Sequence, residues 1–98
     1  MIHAVITSDR YKIKTCRKVE SLKSIRVIIP KGWDCDMVNI VLWEDDICDL
    51  KFSNPEKYEF TIPKCGEIFL KKVIKDEQRH YVYIPTHYDG QQVLIVPV

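Results

Sequence analysis

Shifting the sequence by 55 positions lays VIIPKGWDCDMVNIV (Val27 to Val41) over VYIPTHYDGQQVLIV (Val82 to Val96), with seven of fifteen positions identical. The same shift pairs Ile13 with Ile68, Arg17 with Lys72 and Val19 with Ile74. It also sets IHAVIT, near the start, loosely over KYEFTI at residues 57 to 62. This internal repeat constrains the fold more than any other feature. A lone strand-turn-strand unit of about 40 residues buries too little apolar surface to be stable, so two copies in one chain must complete each other.

The pattern inside each copy is that of strands. Tyr11, Ile13, Thr15 and Val19 alternate with Lys12, Lys14 and Lys18, and Val38, Ile40 and Leu42 alternate with Met37, Asn39, Val41 and Trp43. Pro30 and Pro85 close their strands because proline cannot donate to a ladder, and Lys31-Gly32 and Asp89-Gly90 supply turn chemistry. The expected fold is all-β: a single domain over residues 1–98, made of repeats at about 2–43 and 57–98. The acidic linker between them is expected to be partly structured, with the turn Ser53-Asn54-Pro55 and one more strand between Ile47 and Phe52.

Net charge is only +1, but its distribution is uneven. Arg10, Lys12, Lys14, Arg17, Lys18, Lys23, Arg26 and Lys31 precede residue 32 against Asp9 and Glu20. The stretch from Asp34 to Asp49 holds Asp34, Asp36, Glu44, Asp45, Asp46 and Asp49 with no Lys or Arg. A basic front of this kind points to an anionic partner.

The segment RKVESLKSIRVIIP, Arg17 to Pro30, resembles the DNA-binding domain of the AbrB family, in which a basic strand precedes an Arg-Val-x-Ile-Pro strand. DMVNIVLWEDDICDLKF, Asp36 to Phe52, is similar to that family's Asp-x-Val-x-Ile strand, acidic turn and return strand. The second copy keeps the Val-x-Ile-Pro strand and the Val-x-Ile return, with Thr86 where a basic residue is common. Both copies leave only about five residues between the proline and the returning strand, and so look closer to small archaeal transposon-encoded proteins with a shortened unit.

The resemblance implies swapped hairpins, here from two tandem AbrB-like units, closing into an intramolecular pseudo-dimer barrel. It further implies a cytoplasmic, archaeal or mobile-element regulator that binds duplex DNA. The DNA-facing residues it implies are Arg17, Lys18 and Arg26, with Lys72 and Arg79 of the second copy; Lys14, Lys23, Lys71 and Lys75 are their neighbours. A two-fold-related pair of basic strands would combine counterion release with orientation on the duplex. A non-enzymatic alternative stays open: an antitoxin-like or host-directed interaction module docking through its acidic turn or a strand edge.

Other chemistries find less support in the residues. The carboxylates cluster in a solvated turn, no serine sits in a nucleophile elbow, and no glycine-rich phosphate loop is present, so no enzymatic activity, small-molecule substrate or cofactor is expected. Cys16, Cys35, Cys48 and Cys65 contain no Cys-x-x-Cys pair, and His3, His80 and His87 are not spaced as ligands, so no metal site is expected. Buried thiols are the plain reading of the cysteines, with disulfides left open. Trp33 and Tyr88, just after the prolines, are expected to anchor their turns on the core. No apolar run approaches the roughly 20 residues needed to cross a bilayer, and the start lacks a signal-peptide layout.

Overall fold

The computed structural model describes residues 2–19, 23–42, 49–54, 57–63 and 66–98, with side chains described over 4–19, 23–42, 57–62 and 66–98. Ten strands form in these residues: β1 (Ile2–Ser8), β2 (Lys12–Thr15), β3 (Ile25–Ile29), β4 (Met37–Leu42), β5 (Asp49–Asn54), β6 (Lys57–Pro63), β7 (Glu67–Lys72), β8 (Ile74–Lys75), β9 (His80–Ile84) and β10 (Gln92–Pro97). A single 3-10 turn at Thr86–Tyr88 is the only helical element among the described residues, none of which forms a helix long and apolar enough to cross a membrane. The expected all-β class is therefore observed. β3 and β9 stop at the residue before their prolines, and the linker strand appears as β5. The acidic cluster Glu44 to Asp46, together with Cys48 and Cys65, lies outside the described residues.

All pairing is antiparallel, in three sheets ordered β1-β6-β5, β2-β10-β4-β7 and β3-β9-β8. The strands stay divided among these sheets, and no closed barrel forms among the described residues. Layering follows from the middle sheet. β10 is buried from Val93 through Val96, and β4 is buried at Val38 and from Ile40 through Leu42. Successive strand side chains point to opposite faces, so such runs need cover on both sides. Val38, Ile40, Leu42, Val93 and Ile95 join Ile25, Val27, Ile29, Val82 and Ile84 of β3 and β9 in one core. Val41, Leu94 and Val96 face the other way, onto Phe60 and Ile62 of β6. Each such side chain contributes roughly 1.5–3 kcal/mol by leaving water.

The register ties the two copies to each other. Val27 lies opposite Val82 in the β3–β9 pair, and Ile40 lies opposite Ile95 in the β4–β10 pair. These are the residues that the repeat equates, so each strand pairs antiparallel with its own counterpart. β1 and β6, the loosely matched opening segments, also pair with each other. β2 of the first copy lies on β10 of the second, and β7 of the second lies on β4 of the first.

One part of the sequence alignment is corrected. Thr15 pairs with Gln92 and Lys72 pairs with Met37, which makes Thr15 the counterpart of Lys72, Lys14 of Lys71, and Ile13 of Leu70 rather than of Ile68. Cys16 and Val73 then coincide, at 2% and 5% exposure, and their N–H groups donate to the carbonyls of Gln91 and Asp36, both at 2.8 Å. The connection from β2 to β3 spans nine residues and that from β7 to β9 seven, so the equivalence slips by two residues between the strands on either side.

Candidate nucleic-acid interface

β3 turns Ile25, Val27 and Ile29 into the core, which leaves Arg26 and Ile28 on the outer face of its sheet; β9 likewise buries Val82 and Ile84 and presents Tyr81 and Tyr83. Arg26 is paired with Tyr83, and Ile28 with Tyr81. The Arg26 guanidinium lies 4.8 Å from the centre of the Tyr81 ring and 6.0 Å from that of Tyr83, and the two rings meet edge to face at 5.4 Å. A cation held over aromatic faces is stabilised by the ring quadrupoles. Arg26 Nε is buried with no hydrogen-bond partner. By the repeat, Arg26 is the counterpart of Tyr81 and Ile28 of Tyr83.

One end of this face continues into the first copy. Lys14 Nζ donates to the Ile28 carbonyl at 2.6 Å, bringing the edge of the middle sheet against β3. A groove of about 270 Å³ there is lined by Lys14, Arg17, Val19, Arg26 and Ile28, with Cys16 at its base. Desolvation, and secondarily the neighbouring Lys12 cation, lowers the Lys14 pKa. Lys18 is exposed, and its backbone N–H donates to Asp89 Oδ1 at 2.8 Å.

Lys71, the counterpart of Lys14, lies on the other edge strand of the middle sheet. It lines a groove of about 410 Å³ with Lys23, Ser24, Tyr83, Thr86 and His87. A third groove, of about 200 Å³, lies between the Pro30 turn and the second connection, and places Lys31, Arg79 and His80 beside Asp76 and Glu77. Asp76 accepts the N–H groups of Gln78 and Arg79 at 2.8 and 2.7 Å, which holds its carboxyl below the usual carboxylate range. Lys75 donates to Asp36 at 2.9 Å; that hydrogen bond holds the Asp36 pKa down and the Lys75 pKa up. Lys72 is exposed at the end of β7.

The nine basic residues singled out in the sequence are thus sorted. Lys14, Arg17 and Arg26 share one groove and Lys23 and Lys71 another; Arg79 sits in the mixed-charge groove, Lys75 is held by Asp36, and Lys18 and Lys72 are exposed nearby. Tyr81 and Tyr83 were not singled out. Their signal was the outward positions of HYVYI, which read as ordinary strand aromatics until Arg26 is placed against them.

Trp33 and Tyr88 pack on the core as expected of turn anchors. The Tyr88 hydroxyl donates to the Glu67 carboxylate, which pushes its pKa up to about 12. Cys16 and Cys35 are free and buried; burial raises both thiols, Cys16 to about 11. Among the described residues no group of His, Cys, Asp and Glu is placed to hold a metal ion. No protein-family model matches the chain, and neither a characterised protein nor a solved structure is significantly similar to it.

Proposed function

We propose that the protein is a DNA-binding regulator of AbrB-like type, an intramolecular pseudo-dimer that meets duplex DNA with the outer face of the β3–β9 sheet and needs no cofactor. The observation that carries this reading is that Lys14 and Lys71, counterparts on the two edge strands of the middle sheet, line grooves shared with Arg26 and with Tyr83 of the outer sheet, where Arg26 stacks on Tyr81 and Tyr83. Lysines in two grooves suit phosphates on successive stretches of backbone, because neutralising them releases condensed counterions. A central arginine, pre-oriented by stacking on Tyr81 and Tyr83, can turn its terminal guanidinium nitrogens to a phosphate or a guanine edge.

The test is a fluorescence-anisotropy titration of the purified protein with labelled random duplex DNA at roughly 50 and 200 mM salt. Binding should weaken with salt, with a log-log slope of about −0.9 per phosphate contacted. Arg26→Ala should weaken it further and flatten the slope by about one contact. An absence of binding at the lower salt would sink the reading.

A further inference from the structure

The two halves of the proposed interface share a backbone plan but differ in charge. The strand pairing makes Ile74 the counterpart of Arg17 and Lys75 that of Lys18. Closer to the Val27–Val82 pair, Gln78 stands for Lys23 and Tyr81 for Arg26. The first connection therefore carries Arg17, Lys18 and Lys23 and leads into Arg26. The acid facing it among the described residues is Asp89, which is engaged by the Lys18 N–H; Glu20 lies outside them. The second connection offers Ile74, which is 41% exposed, and Lys75, which is held by Asp36; its Arg79 shares a groove with Asp76 and Glu77.

A symmetric dimer reads a palindrome because each half can take either half-site. Phosphate affinity depends on how many cations each half brings, and here the two halves bring different numbers. Turning the molecule end for end on the duplex would exchange a cationic lobe for a nearly neutral one.

Resting on the DNA reading above, we infer that the protein binds duplex DNA in one orientation on a non-palindromic site. Arg17, Lys18 and Lys23 grip phosphates, and their counterparts Ile74, Lys75 and Gln78 make no contact of comparable strength.

The test lowers the charge by one unit at each of two counterpart positions, Arg17→Gln and Ile74→Glu, both exposed, and titrates each variant and the parent with random duplex DNA at about 50 mM salt. Circular-dichroism melting confirms that each variant is folded. The parent should bind, Arg17→Gln should weaken binding at least about fivefold with a shallower salt dependence, and Ile74→Glu should change it by less than about twofold. Equal weakening by the two variants overturns the inference and leaves the DNA reading standing. No weakening by either also overturns it, because the duplex would then lie elsewhere. If the parent does not bind, the DNA reading itself has failed. Selection from a randomised duplex pool gives an independent readout, in which an asymmetric consensus supports the inference and a palindromic one overturns it.

Discussion

The connections from β2 to β3 and from β7 to β9 make the same topological step with different materials. Each starts from a buried residue, Cys16 or Val73, anchored through its N–H to the opposite copy, and each delivers the chain to the outer sheet. The second is two residues shorter, adds the small strand β8 and folds back through Asp76, whose carboxylate accepts two backbone N–H groups. The first keeps no strand over residues 16–19 and is studded with cations. The strands they join are matched closely, with Val27 against Val82 and Ile40 against Ile95. A packed interior penalises any change of volume, whereas a solvated connection penalises few changes, so two copies can stay alike inside while their surfaces separate.

The most direct way to break this comparison is at the counterparts in the middle sheet. Ile40→Ala and Ile95→Ala should each destabilise by roughly 2–5 kcal/mol in urea denaturation, and by similar amounts, because both side chains are fully buried in one core. A large inequality would mean that the frame is less symmetric than its register.

Next in size are the two turns. Gly32 and Gly90 adopt φ of +89° and +86°, a region where a Cβ costs about 1–2 kcal/mol, so alanine at either should lower the unfolding free energy by that order in urea denaturation. Little else opposes the substitution, since a Cβ at Gly32 meets nothing within 4 Å and one at Gly90 meets only Arg17 Nη1 at 3.8 Å.

A smaller effect belongs to the tyrosine of the second turn. The hydrogen bond to Glu67 raises the Tyr88 pKa above its unfolded value, so its contribution is complete below the ordinary tyrosine pKa and is lost as pH rises through about 12. A spectrophotometric titration should show late ionisation of Tyr88 alongside Tyr81, whose pKa burial also raises, and Glu67→Gln should move only the Tyr88 step to lower pH.

The smallest expected effect sharpens the charge contrast between the connections. Lys75 and Asp36 are both exposed, so Asp36→Asn should leave the melting midpoint nearly unmoved. By freeing Lys75, it should strengthen DNA binding by less than about threefold, as read by the same anisotropy titration.

Much of this frame was legible in the sequence. Alternation from Met37 to Trp43 pointed to β4, and the two prolines marked where β3 and β9 end, because each rests on local sterics or on a single period. The two-residue slip at Cys16 and Val73 was not legible. A slip of two is one full pleat, so it returns every side chain to the same face and leaves the apolar alternation unchanged. Ile13 therefore matched Ile68 by type, while the hydrogen bonds matched it to Leu70. The basic residues were visible as a cluster, but their division among grooves was not, because it depends on β2 and β7 crossing to the opposite copy. Tyr81 and Tyr83 were hidden by their own suitability as strand residues.

β10 follows both of its neighbours in sequence and is an inner strand of the middle sheet, with β2 and β4 on its two edges and a core against each face. Order of synthesis and order of assembly therefore run opposite ways. The strands made first must wait, solvated and without their main partner, until residues 92–97 are free to insert between them. A nascent chain halted just before Gln92 should be cut readily by protease, and one extended past Val98 by a flexible tether should resist it. For a protein with so many distant pairings, the interval between those two lengths is when unpaired edges are most open to the wrong neighbour.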